Sequence, residues 1–348
     1  MTIDRRATVI AAINHEETPL CPYSFGWDRA SDIPERLDAN YGSNEWRQRY
    51  RNYIVRVGLL EDGRKTNEEG PALRRNHYGS LWRTDLRPVH LEEPALQKPS
   101  LRGYTFPEPE FLFPAEWDQD VHAALAENSD CFTVLYPGFG LFERSWDLRG
   151  FANVLMDAAS EPAFFNDLIA AVAEHFDKLL DHLLGFPVDG IFFGDDWGDQ
   201  RGVIIGPERW REVFKPHYAR LYAKAKASGK FVLHHSCGSV IDLVPDMIEI
   251  GLDVLESIQS EAREMNPYTL KDRFGEQLTF WGGLGSQSII PNGTPQELRT
   301  EIKRLAAHMR QGGGYILAGA KDLQPETPTA NAAAILEEFT ALGEPAGA

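Results

Sequence analysis

The chain has 348 residues, 43% of them apolar and 25% charged, and a formal net charge of −17. This is the composition of a globular protein long enough for one large domain or two ordinary ones. The negative excess would repel a phosphate backbone and argues against nucleic acid as a partner, and the lack of any apolar run of about 18 residues argues against a membrane span.

The chain opens with MTIDRRATVIAAINHEETP, charged on both sides of a short apolar patch. This reads as an amphipathic helix, not a signal peptide. An early strand is expected near 19–25 (PLCPYSF). Between about 60 and 115, HYGSLWRTDLRPVHLEEPAL and the prolines that follow break any regular pattern; an irregular β excursion is expected there. From about residue 130 the chain alternates. Apolar, β-rich runs fall at 132–138, 190–195, 231–237, 254–258, 279–284 and 315–319, with helical patterns between them. One such helix spans 207–228, opened by Pro207. Another spans 295–311, with Thr294 as N-cap and Pro295 at the first helical position. Strand–helix alternation implies a parallel sheet, and the strand count approaches eight, so the expected fold is α/β, a single (β/α)8 TIM-like barrel. The rival open, doubly wound sheet lacks a glycine-rich phosphate loop after any strand. The barrel domain is expected to cover 1–342, followed by a disordered tail at 343–348. Cys21, Cys131 and Cys237 are widely scattered. They form no disulfide framework and fit a reducing cytoplasm.

In such a barrel the chemistry sits at the C-terminal ends of the strands. The sequence HHSCG closes the run Phe231-Val232-Leu233. His235 and Cys237 lie two residues apart, so on an extended backbone both point the same way. Imidazole and thiolate on one face make half of a zinc site, and Glu256, ending the next run, is the candidate third metal ligand. His234 faces the other way and is expected behind the barrel wall. Asp195 and Asp196 end GIFFGDD. Either binds substrate or orients His235, with helix capping as the plain alternative; Asp196 is the candidate catalytic residue. Lys321 follows YILAGA as a second catalytic candidate, a proton donor or a carboxylate anchor. Glu143 and Arg144 are expected to pair with each other. Tyr23, Trp27, Phe139 and Trp197 are candidate substrate-binding residues, an aromatic wall for a flat substrate, with Gln287 beside them.

The runs PGFGLFERSWDLRG (137–150), GDDWGDQRG (194–202), HHSCGSV (234–240), TFWGGLGSQ (279–287) and GGGYILAGAKDLQPETP (312–328) resemble the uroporphyrinogen decarboxylase superfamily, which also holds corrinoid and coenzyme M methyltransferases. The resemblance covers about residues 5–340 and implies a TIM-like barrel. True decarboxylases carry an arginine-rich loop like MRQAGR after the first strand; here that place reads CPYSFGWDRAS, with Arg29 its one basic residue. They also carry a last-strand histidine, where Lys321 stands. The methyltransferase branch uses zinc held by His-x-Cys and a distant last-strand cysteine. His235 and Cys237 match the first part, Glu256 stands where related enzymes supply a carboxylate, and Ala320 replaces the distant cysteine. The resemblance therefore implies zinc-assisted methyl transfer, as an O-demethylase or corrinoid-linked methyltransferase, acting on a small molecule, with zinc as cofactor and a corrinoid on a separate partner protein. The alternatives are a metal-free decarboxylase of a tetrapyrrole or smaller carboxylate, and a non-catalytic binding protein on the same barrel.

Overall fold

The computed structural model describes residues 4–28, 30–58 and 72–344. Its spine is a seven-stranded parallel sheet in the order β1-β5-β6-β7-β8-β9-β10. These strands are β1 (Ile54–Val57), β5 (Phe132–Leu135), β6 (Gly190–Gly194), β7 (Phe231–His235), β8 (Val254–Ile258), β9 (Thr279–Leu284) and β10 (Tyr315–Gly319). An extended segment around Tyr23 supplies the remaining stave. Leu317 of β10 donates its amide to Pro22 and accepts from Ser24, while Tyr53, just before β1, donates to the Tyr23 carbonyl. The ring is thereby closed, and the protein is a (β/α)8 barrel. Strand-to-strand order follows chain order throughout, as short right-handed crossovers require.

Six of the expected strands appear where the apolar β-branched and aromatic runs place them. β1 was not expected, because it is four residues long and carries Arg56 among its aliphatics. The helix expected over 207–228 is two helices, Pro207–Val213 and Lys215–Ala227. Pro216 has no amide hydrogen to continue the first into the second, so the axis breaks at Phe214. The helix Pro295–Met309 begins as expected, and Thr294 and Glu297 cap each other reciprocally.

The N-terminal helix, Arg5–Ile13, closes the floor of the barrel. Arg6 donates its amide to Asp130 ahead of β5, and Gly314, ahead of β10, donates to Ala12. The excursion is a three-stranded antiparallel sheet, β2 (Leu73–Arg75), β3 (Leu81–Arg83) and β4 (His90–Glu93), lying beside the opposite end. Its anchor is the fully buried Asp147, which accepts from Asn76 and from the Trp82 indole and pairs with Arg144 at 2.6 Å. Arg144 therefore pairs with Asp147, not with Glu143 as the sequence reading had it. On the far side of the mouth, Arg87 reaches Glu326 at 2.7 Å. Residues 59–71 of the excursion, Arg29, and residues 345–348 of the tail expected at 343–348 lie outside the described residues; Gly343 of that tail ends the last helix, Thr329–Gly343.

Candidate metal and substrate site

In a parallel sheet, residues in register on neighbouring strands share a face. His235 and Glu256 are in register across β7 and β8, and so both side chains enter the lumen. The Glu256 carboxylate accepts from His235 Nδ1. That contact leaves Nε2 as the nitrogen turned toward the mouth, where it lies 3.3 Å from Asp196 Oδ1 and 3.4 Å from Cys237 Sγ. The three ligand atoms of Asp196, His235 and Cys237 all lie within 4.8 Å of one another. Asp196 thus stands where a metal ligand would, and Glu256 holds the far side of the imidazole instead of completing the ligand set.

Local backbone makes this convergence possible. The loops after β6 and β7 press together through Gly198 and Gly238. A Cβ on Gly238, whose φ is +74°, would lie 2.4 Å from the Gly198 backbone. Only glycine permits that approach. It lets the Cys237 amide donate to Asp196 Oδ1 at 2.8 Å. On the next strand, Ser257 sits at a φ of +68° where the β8–β9 register shifts. The irregularity turns its hydroxyl to the Ala320 carbonyl and within 3.9 Å of Cys237 Sγ. A non-glycine residue with positive φ beside the cluster is the strained backbone that functional sites retain.

The electrostatics follow from the packing. Burial alone would lower the His235 pKa, but the charge of Glu256 and the bonds to Asp196, Cys237 and Glu256 carry it well above its ordinary value. Burial would raise Asp196, yet the bonds to His235 and the Cys237 amide hold it down at about 2. Glu143 goes the other way. Burial and the nearby charges of Asp196 and Asp195 push its carboxyl well above the usual range. Asp195 is buried and raised to about 6 by that burial, although four donors hold it: the amides of Phe142 and Glu143, Tyr218 and the Trp197 indole. Its carboxylate accepts the first amides of the helix Leu141–Arg149, and it is not among the residues lining the cleft onto which the cluster opens.

The cluster opens onto a cleft of about 650 Å³, built from the loops after β6, β7, β8, β9 and β10. Asp196, Cys237, Gln287, Ala320 and Lys321 line it. The expected aromatic wall does not. Tyr23 is fully buried against Tyr53 and Phe339 on the outside of the barrel. Trp27 packs edge-on against Phe25 and Trp46. Phe139 joins Trp82 and Trp146 under the excursion. Trp197 stacks on His234 at 4.2 Å, behind the wall where His234 was expected. Their apolar bodies were needed for packing between layers, a demand the sequence pattern does not separate from a substrate wall.

Arg56, which the sequence reading passed over, stands beside Glu256 with its side chain partly exposed. Its guanidinium lies 4.4 Å from the Phe192 ring centre and 3.8 Å from Glu256 Oε1. Sequence alone did not mark it, since a four-residue strand with an arginine inside carries too little period. A small cavity of about 30 Å³ adjoins Arg56, Glu256, Trp281 and Asp322.

Comparison with known proteins places this geometry in a family. The profile of the family described as Uroporphyrinogen decarboxylase (URO-D) matches residues 147–342. The chain belongs to this family. The matched span holds Asp196, His235, Cys237, Glu256 and Lys321; Arg56 and Glu143 precede it. Among solved structures, a methyltransferase from Methanosarcina mazei is similar at a TM-score of 0.69 and 15% identity, over 97% of this chain and 98% of that one. This shared fold is the URO-D barrel. A Bacillus subtilis mannanase (TM-score 0.39, 10% identity, 91% and 90% covered) and a Flavobacterium johnsoniae chitinase (0.33, 11%, 65% and 80%) are more distant, and neither bears on fold or function. No curated protein matches the sequence. Among the described residues no helix is long and apolar enough to cross a membrane.

Proposed function

We propose that this URO-D family enzyme is a zinc-dependent methyltransferase that removes a methyl group from oxygen and passes it to the reduced corrinoid of a separate protein. The observation that carries the reading is the convergence of Asp196, His235 Nε2 and Cys237 at the floor of an open cleft. Carboxylate, imidazole and thiol are a donor set that zinc accepts, and three protein ligands with an open fourth side are the pattern of a catalytic zinc site. A carboxylate on the far nitrogen of the ligating histidine, here Glu256, is the usual support for such a ligand. The barrel shared with the Methanosarcina mazei methyltransferase supports the same reading.

Zinc bound there supplies Lewis acidity toward the substrate oxygen. The protein's own residues do the rest. Glu256 fixes the imidazole tautomer. The Cys237 amide orients the Asp196 carboxylate, which stays ionised. Lys321, at the rim of the cleft, gives a proton to the departing oxygen as that oxygen keeps the electron pair of the broken C–O bond. The methyl carbon would go to the nucleophile of the corrinoid partner, and solvent would restore the lysine proton.

The test is metal content. Protein stripped by chelator, reloaded with zinc and desalted should hold about one zinc per chain. Cys237→Ser should retain much less under the same wash, since a hydroxyl is a poorer zinc ligand than a thiolate. Wild-type protein that holds no zinc after reloading would overturn the reading.

A further inference from the structure

The large cleft takes its placed polar groups chiefly from neutral side chains. Here the loops after β6, β8 and β9 contribute Gln200, Gln259 and Gln287, with Ser286 beside them and Lys321 opposite. None of the residues described as lining the cleft is aromatic. Gln259 spends its oxygen on the Gly238 amide at 2.9 Å, which leaves its NH₂ to donate. Among the described residues, the carboxamides of Gln200 and Gln287 have no side-chain partner, and the Ser286 hydroxyl is buried without one. The carboxylates of Asp199 and Glu326, also in the lining, are already paired with Arg201 and Arg87. Beyond the Asp196–His235–Cys237 cluster, what the described residues turn to the cleft is a set of neutral donors and acceptors around the ammonium of Lys321.

From this lining we infer the substrate class of the site: an uncharged, polyhydroxylated methyl ether of sugar size. The inference rests on the methyl-transfer reading above and deepens it. Carboxamides and hydroxyls both donate and accept, which is what sugar hydroxyls need from a site. Among the described residues lining the cleft a methoxyarene finds no ring to stack on, and it would leave the buried Ser286 hydroxyl and the amides unpaired, the arrangement by which polar sites reject apolar analogues. Among the described lining residues a polycarboxylate would find one ammonium, that of Lys321. In the reaction, the nucleophile of the corrinoid partner takes the methyl carbon, the C–O bonding pair stays on the sugar oxygen, and Lys321 protonates that oxygen. The product is the parent polyol.

The experiment is calorimetry and saturation-transfer NMR on the zinc-loaded full chain. The probes are a panel of mono-O-methyl hexoses and methyl hexosides, set against 2-methoxyphenol and 4-methoxybenzoate. At least one sugar ether should bind saturably and the arenes should not. Gln200→Ala and Gln287→Ala should each weaken that binding roughly tenfold, the scale of one lost hydrogen bond. Both side chains are exposed, so melting temperature and zinc content should stay at the wild-type level. Saturable arene binding, or no sugar ether binding, overturns the substrate class. Zinc is measured in the same samples. Zinc present with an arene bound sinks the substrate class and leaves methyl transfer standing, while a sugar ether bound without zinc does the reverse.

Discussion

At the scale of single residues, the cluster divides its labour by which atom faces where. His235 offers Nε2 to the mouth only because Glu256 holds Nδ1. Glu256→Gln should keep the shape and a hydrogen bond but lose the charge that makes the imidazole a stronger donor. We expect zinc affinity to fall roughly tenfold, at the low end of what loss of such a support costs. Competition against a chromogenic chelator measures it; an unchanged affinity would mean the contact is packing alone. The three cysteines differ in the same atom-by-atom way. Cys21 is fully buried, and burial pushes its thiol up to about 12; Cys131 is buried and pushed up to about 11. Cys237 is half-buried at the floor of an open cleft. With iodoacetamide at pH 8 and no metal, peptide mapping should find Cys237 alkylated first, and added zinc should protect it. Labelling of Cys21 or Cys131 ahead of Cys237 would contradict this account of the site.

At the scale of elements, the excursion is held at a second buried point besides Asp147. His175, on the helix Pro162–Leu183, meets the Tyr78 hydroxyl at 3.0 Å and stacks on Phe106 at 4.9 Å. Burial, with help from the charges of Arg144 and Lys178, lowers its pKa to about 3. The unfolded chain binds that proton near pH 6.5 and the folded chain does not. The unfolded state therefore holds more protons between these values, and stability falls as pH drops below about 6.5, by up to about 1.4 kcal/mol per pH unit from this group. Urea unfolding of wild type and His175→Gln at pH 7, 6 and 5 isolates it: the difference between the two should shrink or change sign as pH falls. A constant difference would show that His175 does not stay neutral. The same scale explains what the sequence disclosed. Long apolar runs such as GIFFG and TFWGGL announce buried parallel strands, and the His-x-Cys spacing on one such run placed two side chains on one face. β1 was hidden because four residues with a central arginine carry too little period. The choice between Asp196 and Glu256 as the residue beside Nε2 was hidden too, because it depends on how two loops pack through Gly198 and Gly238, a contact between segments 40 residues apart in the chain. The aromatic wall was misplaced for a related reason, since Trp197 and Tyr23 look the same in sequence whether they line a cleft or fill the space behind it.

At the scale of the whole molecule, the question is what charge the barrel will admit. Family membership alone would allow porphyrinogen decarboxylation, and the mouth argues against it. A substrate with eight carboxylates needs a cationic partner for each group it buries, since an unpaired charge out of water is heavily penalised. Among the described residues the large cleft offers Lys321. Arg56, partly exposed, lies against Phe192 and is already near Glu256, beside a cavity of about 30 Å³ that has room for little more than a water molecule. The excess of acidic residues behind the net charge of −17 adds a field that slows the approach of any polyanion, though local cations would outweigh it if they were present. The excursion adds a further barrier, because Arg87 is tied to Glu326 and Gln324 at the rim and is not free to grip a substrate carboxylate. Incubation with uroporphyrinogen under reducing conditions, with products separated by carboxylate number, should therefore show no enzymatic loss of carboxylates, with or without zinc. The control is Lys321→Ala, which should behave the same as wild type in this assay. Conversion to the four-carboxylate product at an ordinary enzymatic rate, on the order of 1 per second, would show that the barrel recruits cations from outside the cleft and would restore the decarboxylase reading in place of methyl transfer.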